Sequence, residues 1–344
     1  MNTVLENDIN ELISHKQYFQ DFESKTILVT GATGLLGSIL IKALLRFGNT
    51  KVYACCRSQG KFAKIFEGYN CDNLIPIFSD ILNLDISNLK IDYIVHGASI
   101  TDSRTFVENP VETIDIAIEG TRNLLKQCVD KKILGFVYLS SLEVYGTFNE
   151  LDGVKNVIEI DSGYINTMSV RSSYSESKRM IETICKAYTE EYKLPVKICR
   201  LCQTFGAGVE YNDNRVFAQF ARAVIEGRDI ILKTKGETIR NYCYTTDAIS
   251  GILTVLSKGT IGEAYNIANS RSTVSILEMA QLVCKLYPDS GSKVVFDIAK
   301  DTEKLGYNPI VKMALNTDKL EKLGWSASVD LSCMYQKLIN SMRR

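Results

Sequence analysis

Two short segments of this chain carry side chains suited to moving a proton. In SSLEVYG, Ser140, Ser141 and Glu143 follow an apolar run that reads as a strand. In RSSYSESKR, Tyr174 and Lys178 stand one helical turn apart, so the phenol and the ammonium share a face and reach one site. A phenol with a pKa of about 10 is a poor base at neutral pH unless a cation favours phenolate, and Lys178 supplies that cation. Ser141 is placed to hydrogen-bond the same substrate oxygen and guide the proton. A Tyr and a Lys at this spacing occur on many exposed helices, so the pair gains meaning only from its surroundings.

Upstream lies a turn suited to a pyrophosphate. TILVTGATGLLGSILIKALL reads as a strand, a glycine-rich turn and a helix. Gly31 allows the tight turn, Gly34 lets backbone N–H groups approach the anion, and Gly37 lets the helix pack close to the strand. The helix N-terminus adds a favourable field. Thr33, Leu35 and Leu36 lie in the same turn and join the expected cofactor contacts. At the end of the second strand, NAD enzymes favour an acidic residue. Here Cys56 takes that place, followed by Arg57, whose guanidinium suits the 2′-phosphate of NADP. The reading leans to NADP, with NAD as the alternative. Asp80 and Ile81 follow the third strand, within reach of adenine. Ala98 and Ser99 end the fourth, after His96 and Gly97, beside the nicotinamide ribose.

These groups need a scaffold, and the pattern supplies one. Apolar strands are predicted at Thr26–Thr30, Lys51–Cys56, Leu74–Phe78, Ile91–His96, Ile133–Ser140 and Val196–Leu201. Helices are predicted at Ser38–Phe47, Val111–Lys126 and Tyr174–Tyr192. The alternation implies an α/β fold, a Rossmann-type doubly wound parallel sheet. Beyond residue 203 the rhythm loosens. Loop-like stretches (GAGVEYNDN, KTKGETIRN) interrupt helices at Val216–Glu226 and Ile276–Leu286, which suits a smaller C-terminal α/β substrate-binding lobe. The expected division is an N-terminal helical extension (1–24), a dinucleotide-binding domain (25–202) and a mainly substrate-binding lobe (203–344), some of whose segments return to the main domain. In the extension, Leu5, Ile9, Leu12 and Ile13 recur at helical spacing, and that helix covers a groove of this subunit or of a neighbour.

Composition narrows the classes. The chain has 344 residues, and Lys plus Arg balances Asp plus Glu at 40 each, so no charge excess points to nucleic acid or to a membrane surface. No apolar run approaches the roughly 20 residues of a membrane span, and the polar start is unlike a signal peptide, so the chain reads as cytoplasmic. The ten cysteines are scattered. The single CxxC, Cys199 and Cys202, lies in a strand-like run whose side chains leave opposite faces. With only His15 and His96 besides, no metal site is expected, and buried reduced thiols are the reading.

Taken together, TGATGLLG, SSLEVYG, YSESK and the terminal TDKLEKLGW resemble the extended short-chain dehydrogenase/reductase superfamily, in its NAD-dependent epimerase/dehydratase branch, over roughly residues 25–330. The resemblance implies that Tyr174 is the general acid/base, that Lys178 binds the nicotinamide ribose and tunes Tyr174, and that Ser141 contacts the reacting hydroxyl. It also implies a substrate that is a sugar or polyol carried on a nucleoside diphosphate. Gln203, Asn214, Arg215 and Arg240 stand where relatives contact the nucleotide and its phosphates. Glu143 and the run YSESKRMIETICKAY are most similar to the UDP-glucuronate decarboxylase-like subgroup, with Glu143 as a second base or a group that positions a leaving group. Leu142 replaces the Asp that dehydratases use for elimination, and Ala117 replaces a structural Asn. The leading expectation is C4-type redox chemistry on a nucleotide-linked sugar, giving epimerisation or decarboxylation. The alternatives are an NADPH-dependent reductase of a nucleotide-linked keto sugar or ketose, and a non-catalytic NADP sensor. Helices Val111–Lys126 and Tyr174–Tyr192 resemble a pair that forms a four-helix dimer interface, which implies a homodimer.

Overall fold

A computed structural model of the chain describes residues 3–69, 72–148, 153–300 and 310–343. Helix α1 (Thr3–Ser14) precedes β1 (Thr26–Thr30), α2 (Leu35–Phe47), β2 (Lys51–Cys56), α3 (Gln59–Ile65), β3 (Leu74–Phe78) and β4 (Tyr93–His96). Then come α4 (Ser103–Glu108), α5 (Pro110–Cys128), β5 (Gly135–Ser141), β6 (Lys155–Val157), α6 (Ser172–Tyr192), β7 (Val196–Leu201) and β8 (Gln203–Phe205). The chain continues through α7 (Val216–Ile225), β9 (Ile230–Leu232), β10 (Ile239–Tyr244), α8 (Thr245–Lys258), β11 (Ala264–Ile267) and β12 (Asn269–Ser275). It ends with α9 (Ile276–Leu286), β13 (Val294–Phe296), β14 (Met313–Leu315), α10 (Asp318–Glu321) and α11 (Leu331–Met342).

Seven strands form one sheet in the order β11-β7-β5-β4-β1-β2-β3, with every neighbouring pair parallel. Ile27, Leu28 and Val29 of β1 are fully buried because helices cover both faces of the sheet. Core residues of α1, α2 and α8 fill one side and those of α5 and α6 the other. This is a Rossmann-type α/β fold. Strand order reverses between β1 and β4, and the carboxyl ends there open a crevice of the kind in which such sheets hold ligands. A separate apolar cluster joins Phe205, Phe217, Tyr242, Met279 and Tyr335 from the later elements. No helix among the described residues is long and apolar enough to cross a membrane.

Three details differ from the sequence pattern. Helix α2 starts at Leu35, directly after Gly34, rather than at Ser38, so its first turn faces the glycine loop. The stretch KTKGETIRN is not loop throughout: from Ile239 it becomes β10, parallel to β8 and antiparallel to β12. Helix α8 lies in a stretch to which the sequence pattern assigned no element, and nearly every residue from Thr245 to Leu256 is buried. Trp325 of the terminal segment packs there, donating from Nε1 to the Asp247 carbonyl at 3.1 Å and to Ser250 Oγ at 2.9 Å.

The N-terminal helix covers this subunit itself. Leu5, Ile9 and Leu12 are buried, and Asp8 is only 2% exposed. Lys337 of α11 donates to the Asp8 carboxylate at 2.8 Å, and the Tyr244 hydroxyl donates to its other oxygen. Arg46 of α2 pairs with Glu6 at 2.5 Å. Removing a buried acceptor strands both donors. Asp8→Ala is therefore expected to lower the unfolding free energy by about 2–3 kcal/mol in urea titration. Glu11→Ala, at a side chain 65% exposed, should cost less than about 0.5 kcal/mol. Similar costs for the two would refute the anchoring role of Asp8.

Candidate active site

The floor of the crevice is set by glycines. Gly31 has φ +73°, and a Cβ there would lie 2.9 Å from the Gly97 backbone. A Cβ on Gly37 would lie 2.4 Å from the Gly31 carbonyl oxygen, so a side chain is excluded where the helix meets the turn. Thr30 Oγ1 meets His96 Nδ1 at 2.7 Å and accepts from the Ala98 N–H at 3.1 Å, tying the ends of β1 and β4 together. His96 Nε2 meets Thr121 Oγ1 at 3.0 Å. Burial pushes His96 down to about 3, so this tie stays neutral.

Above this floor the end of β5 meets the start of α6. Tyr174 and Lys178 are both buried, and the Tyr174 ring stacks on Phe106 of α4 at 4.2 Å between centroids. Ser141 is within hydrogen-bonding reach of the phenol, while its Oγ accepts from the Glu143 N–H at 3.2 Å. Lys178 Nζ donates to the Leu139 carbonyl at 2.8 Å and lies 4.7 Å from the Tyr138 ring centroid. Burial pushes the Tyr174 phenol well above its ordinary value, Glu143 adds to the rise, and Ser141 and Arg171 oppose it. Burial pushes Lys178 down to about 7, with Glu182 holding it up. Near pH 7 the phenol therefore keeps its proton, while Lys178 is close to its midpoint.

A buried network braces this corner. Ser140 Oγ donates to Glu182 Oε1 at 2.6 Å, and Arg200 Nη2 donates to Glu182 Oε2 at 2.6 Å. Arg200 also reaches the Tyr145 hydroxyl at 2.9 Å, which donates to Asn266 Oδ1 at 2.6 Å. Glu143 accepts from both terminal nitrogens of Arg171 at 3.0 and 2.9 Å.

One cleft of about 1640 Å³ is lined by every residue to which the sequence gave a site role. Along it stand the turn residues Gly31, Thr33, Gly34, Leu35, Leu36 and Gly37, then Arg57, Asp80, Ile81, Ala98 and Ser99. Ser141, Glu143, Tyr174 and Lys178 share that wall with Gln203, Asn214, Arg215 and Arg240. Their states differ. Arg57 is exposed, and Asp80 is held below the usual carboxylate range chiefly by hydrogen bonds from Asn83. Arg215 is committed to Asp213, donating from Nη2 at 2.6 Å, whereas Arg240 keeps a buried Nε with no partner among the described residues. Sequence reasoning gave no role to Phe106 or Arg171. Arg171 stood inside a quoted motif, but nothing local revealed its partner.

Comparison with known proteins places this geometry. The model of the NAD dependent epimerase/dehydratase family matches residues 27–268. UDP-glucuronic acid decarboxylase 1 of Xenopus tropicalis is 26% identical over 341 residues, 99% of this chain and 77% of that protein. The structure of UDP-glucuronic acid 4-epimerase from Bacillus cereus in complex with NAD has a TM-score of 0.76 at 25% identity, covering 92% of this chain and 96% of that one. UDP-glucose 4-epimerase of Thermotoga maritima shares the fold at a TM-score of 0.80 and 20% identity, covering 92% and 98% of the two chains.

The buried ammonium bears on stability. Lys178 titrates at about 7 when folded, against about 10.4 for an unfolded lysine. Between these values the unfolded chain binds more protons, so this group makes stability rise with pH. Its penalty is full below the folded value and fades towards the unfolded one. Without ligand, Lys178→Met is expected to resist urea better than wild type on the acid side of about 7, with the gap closing by about pH 10. A gap independent of pH would contradict the burial of a chargeable amine.

Proposed function

The chain belongs to the NAD dependent epimerase/dehydratase family, and from that premise we propose that it acts on a sugar carried by a nucleoside diphosphate, using C4-type redox chemistry for epimerisation or decarboxylation. The observation that carries this reading is a single cleft lined by the glycine turn, by Ser141, Tyr174 and Lys178, and by Arg240 with its unpartnered Nε.

The residues present fit a dinucleotide. The cradle at Gly31 and Gly37 is closed to any Cβ, and the N-terminus of α2 faces it. Arg57 and Asp80 would meet the adenosine end, Ala98, Ser99 and Lys178 the nicotinamide ribose. When bound, the dinucleotide supplies a reversible hydride acceptor and, when oxidised, a positive charge near the phenol. Tyr174 takes the proton of the sugar hydroxyl through Ser141 and returns it later in the turnover. Lys178 favours the phenolate by its charge. Arg240 pairs with the diphosphate, where a guanidinium donates in a fork. Phe106, stacked on Tyr174, keeps water from one side of the phenol. Leu142 is buried among apolar residues, which supports epimerisation or decarboxylation over elimination.

The relatives named above include a decarboxylase and an epimerase, the latter solved with NAD. A second reading, net reduction of a nucleotide-linked keto sugar by NADPH, is favoured by Arg57, which is exposed at the cleft and makes no ion pair within 4.0 Å among the described residues. The presence of Ser141, Tyr174 and Lys178 together argues against a non-catalytic sensor. Exposed Val111 and Ile114 on α5 and Met180 on α6 support a homodimer through these two packed helices.

Incubation with UDP-glucuronate, UDP-glucose and dTDP-glucose is expected to give product with no net change in the absorbance of the reduced nicotinamide. Stoichiometric loss of NADPH on a keto-sugar substrate would favour the second reading. Tyr174→Phe should lower turnover by about 100- to 10,000-fold, and a rate near wild type would sink the acid/base assignment. Light scattering at micromolar concentration should give twice the chain mass, and a monomer would refute the α5–α6 interface.

A further inference from the structure

The carboxylate beside Ser141 and Tyr174 is already engaged. Glu143 lies two residues beyond Ser141, and Arg171 three residues before Tyr174; their side chains are 12% and 6% exposed. Arg171 Nη1 donates to Glu143 Oε2 at 3.0 Å and Nη2 to Oε1 at 2.9 Å, while Ser175 Oγ donates to Oε2 at 2.9 Å. The Arg171 guanidinium lies 4.8 Å from the Phe106 ring centroid, and that ring stacks within 10° of parallel on Tyr174. The pair thus links the end of β5, which carries Ser141, to the first turn of α6, which carries Tyr174.

We propose that Glu143 and Arg171 are positioning residues, a matched ion pair that holds Ser141 and Tyr174 in register for proton transfer, and that Glu143 is not a second acid–base group. The proposal rests on Tyr174 as the acid/base of the reaction. A carboxylate that accepts a two-pronged guanidinium bond and a hydroxyl bond is a poor proton acceptor. Protonating it would break the charge-assisted bonds it accepts from Arg171 in a buried place.

The pair also balances the field at the phenol. Tyr174 faces Lys178 and Arg171 from its own helix, and Glu143, Ser141 and Tyr138 from the end of β5. Glu108, Glu112 and Asp115 line the same cleft from α4 and α5. Glu143 raises the phenol and Arg171 lowers it, with Glu143 the stronger of the two. Removing one member exposes the other.

The test uses the full-length protein and whichever of the three nucleotide sugars named above the wild type turns over. Glu143→Gln keeps the size of the side chain and an acceptor for Arg171. It is expected to retain turnover within about tenfold of wild type, well short of the roughly 100-fold or greater loss from removing an acid–base group. The limb of the pH–rate profile on which Tyr174 loses its proton should move to lower pH. In Arg171→Gln the same limb should move to higher pH, and Arg171→Lys should bring it back towards wild type. Circular dichroism establishes that each variant is folded. A loss beyond about 100-fold in folded Glu143→Gln, with the limb unmoved, would make Glu143 a base and overturn the proposal. Unmoved limbs in both variants, with activity retained, would overturn it equally, because the pair would then be a scaffold contact with no influence on Tyr174. Either result is separable from failure of the functional reading, which Tyr174→Phe decides.

Discussion

The closeness of two strand ends governs this molecule. Where β1 and β4 leave the sheet, Gly31 and Gly97 bring their backbones nearer than any side chain would allow. Gly37 then lets α2 settle against the same turn. Thr30 holds both strand ends with one hydroxyl, and neutral His96 completes the tie from the buried side. The strand order reverses around this point, so the crevice, the first turn of α2 and the path towards β5 all take their positions from it. A side chain inserted here would displace backbone, and backbone cannot rotate aside.

Charges around the cleft fall into two kinds. Behind it they are paired and braced. Glu182 with Arg200 supports Ser140, and Asp247 accepts from Ser328 and Val329 beneath the terminal segment. Such buried groups add little net stability after their desolvation, but they fix geometry tightly. Facing the cleft, Arg240 keeps an unpartnered nitrogen and Lys178 has one backbone carbonyl and two aromatic faces for company. The rear wall is braced throughout, while the cleft face mixes paired charges, Glu143 with Arg171 and Arg215 with Asp213, with the less committed Arg240 and Lys178.

Local pattern revealed some of this and hid the rest for identifiable reasons. The strands Thr26–Thr30, Lys51–Cys56, Leu74–Phe78 and Val196–Leu201 are readable because continuous apolar runs are what a sheet covered on both faces requires. The glycine turn is readable because its spacing follows from backbone contacts. Helix α8 carried no expectation, and its burial at all positions but Thr246, Ser257 and Lys258 leaves little exposed surface to mark it. Strand β10 was obscured by the polar KTKGET before it. Arg171 was visible as a residue, yet its partner Glu143 lies 28 positions away in the chain, and no periodicity connects them. Phe106 is harder still, because stacking on Tyr174 depends on how α4 is laid across α6.

The cluster of Asp8, Tyr244 and Lys337 sets an order of events as well as a contact. The bond from Lys337 to Asp8 spans 329 positions, nearly the whole chain. Helix α1 packs against α2 nearby in the chain, but its contacts with α8 and α11 wait until those distant segments have been made. Until then its apolar stripe of Leu5, Ile9 and Leu12 is only partly covered, and closure of so long a loop is slow. Full docking of α1 therefore waits on α11, and the bond from Lys337 to Asp8 clasps two segments that the chain itself keeps far apart.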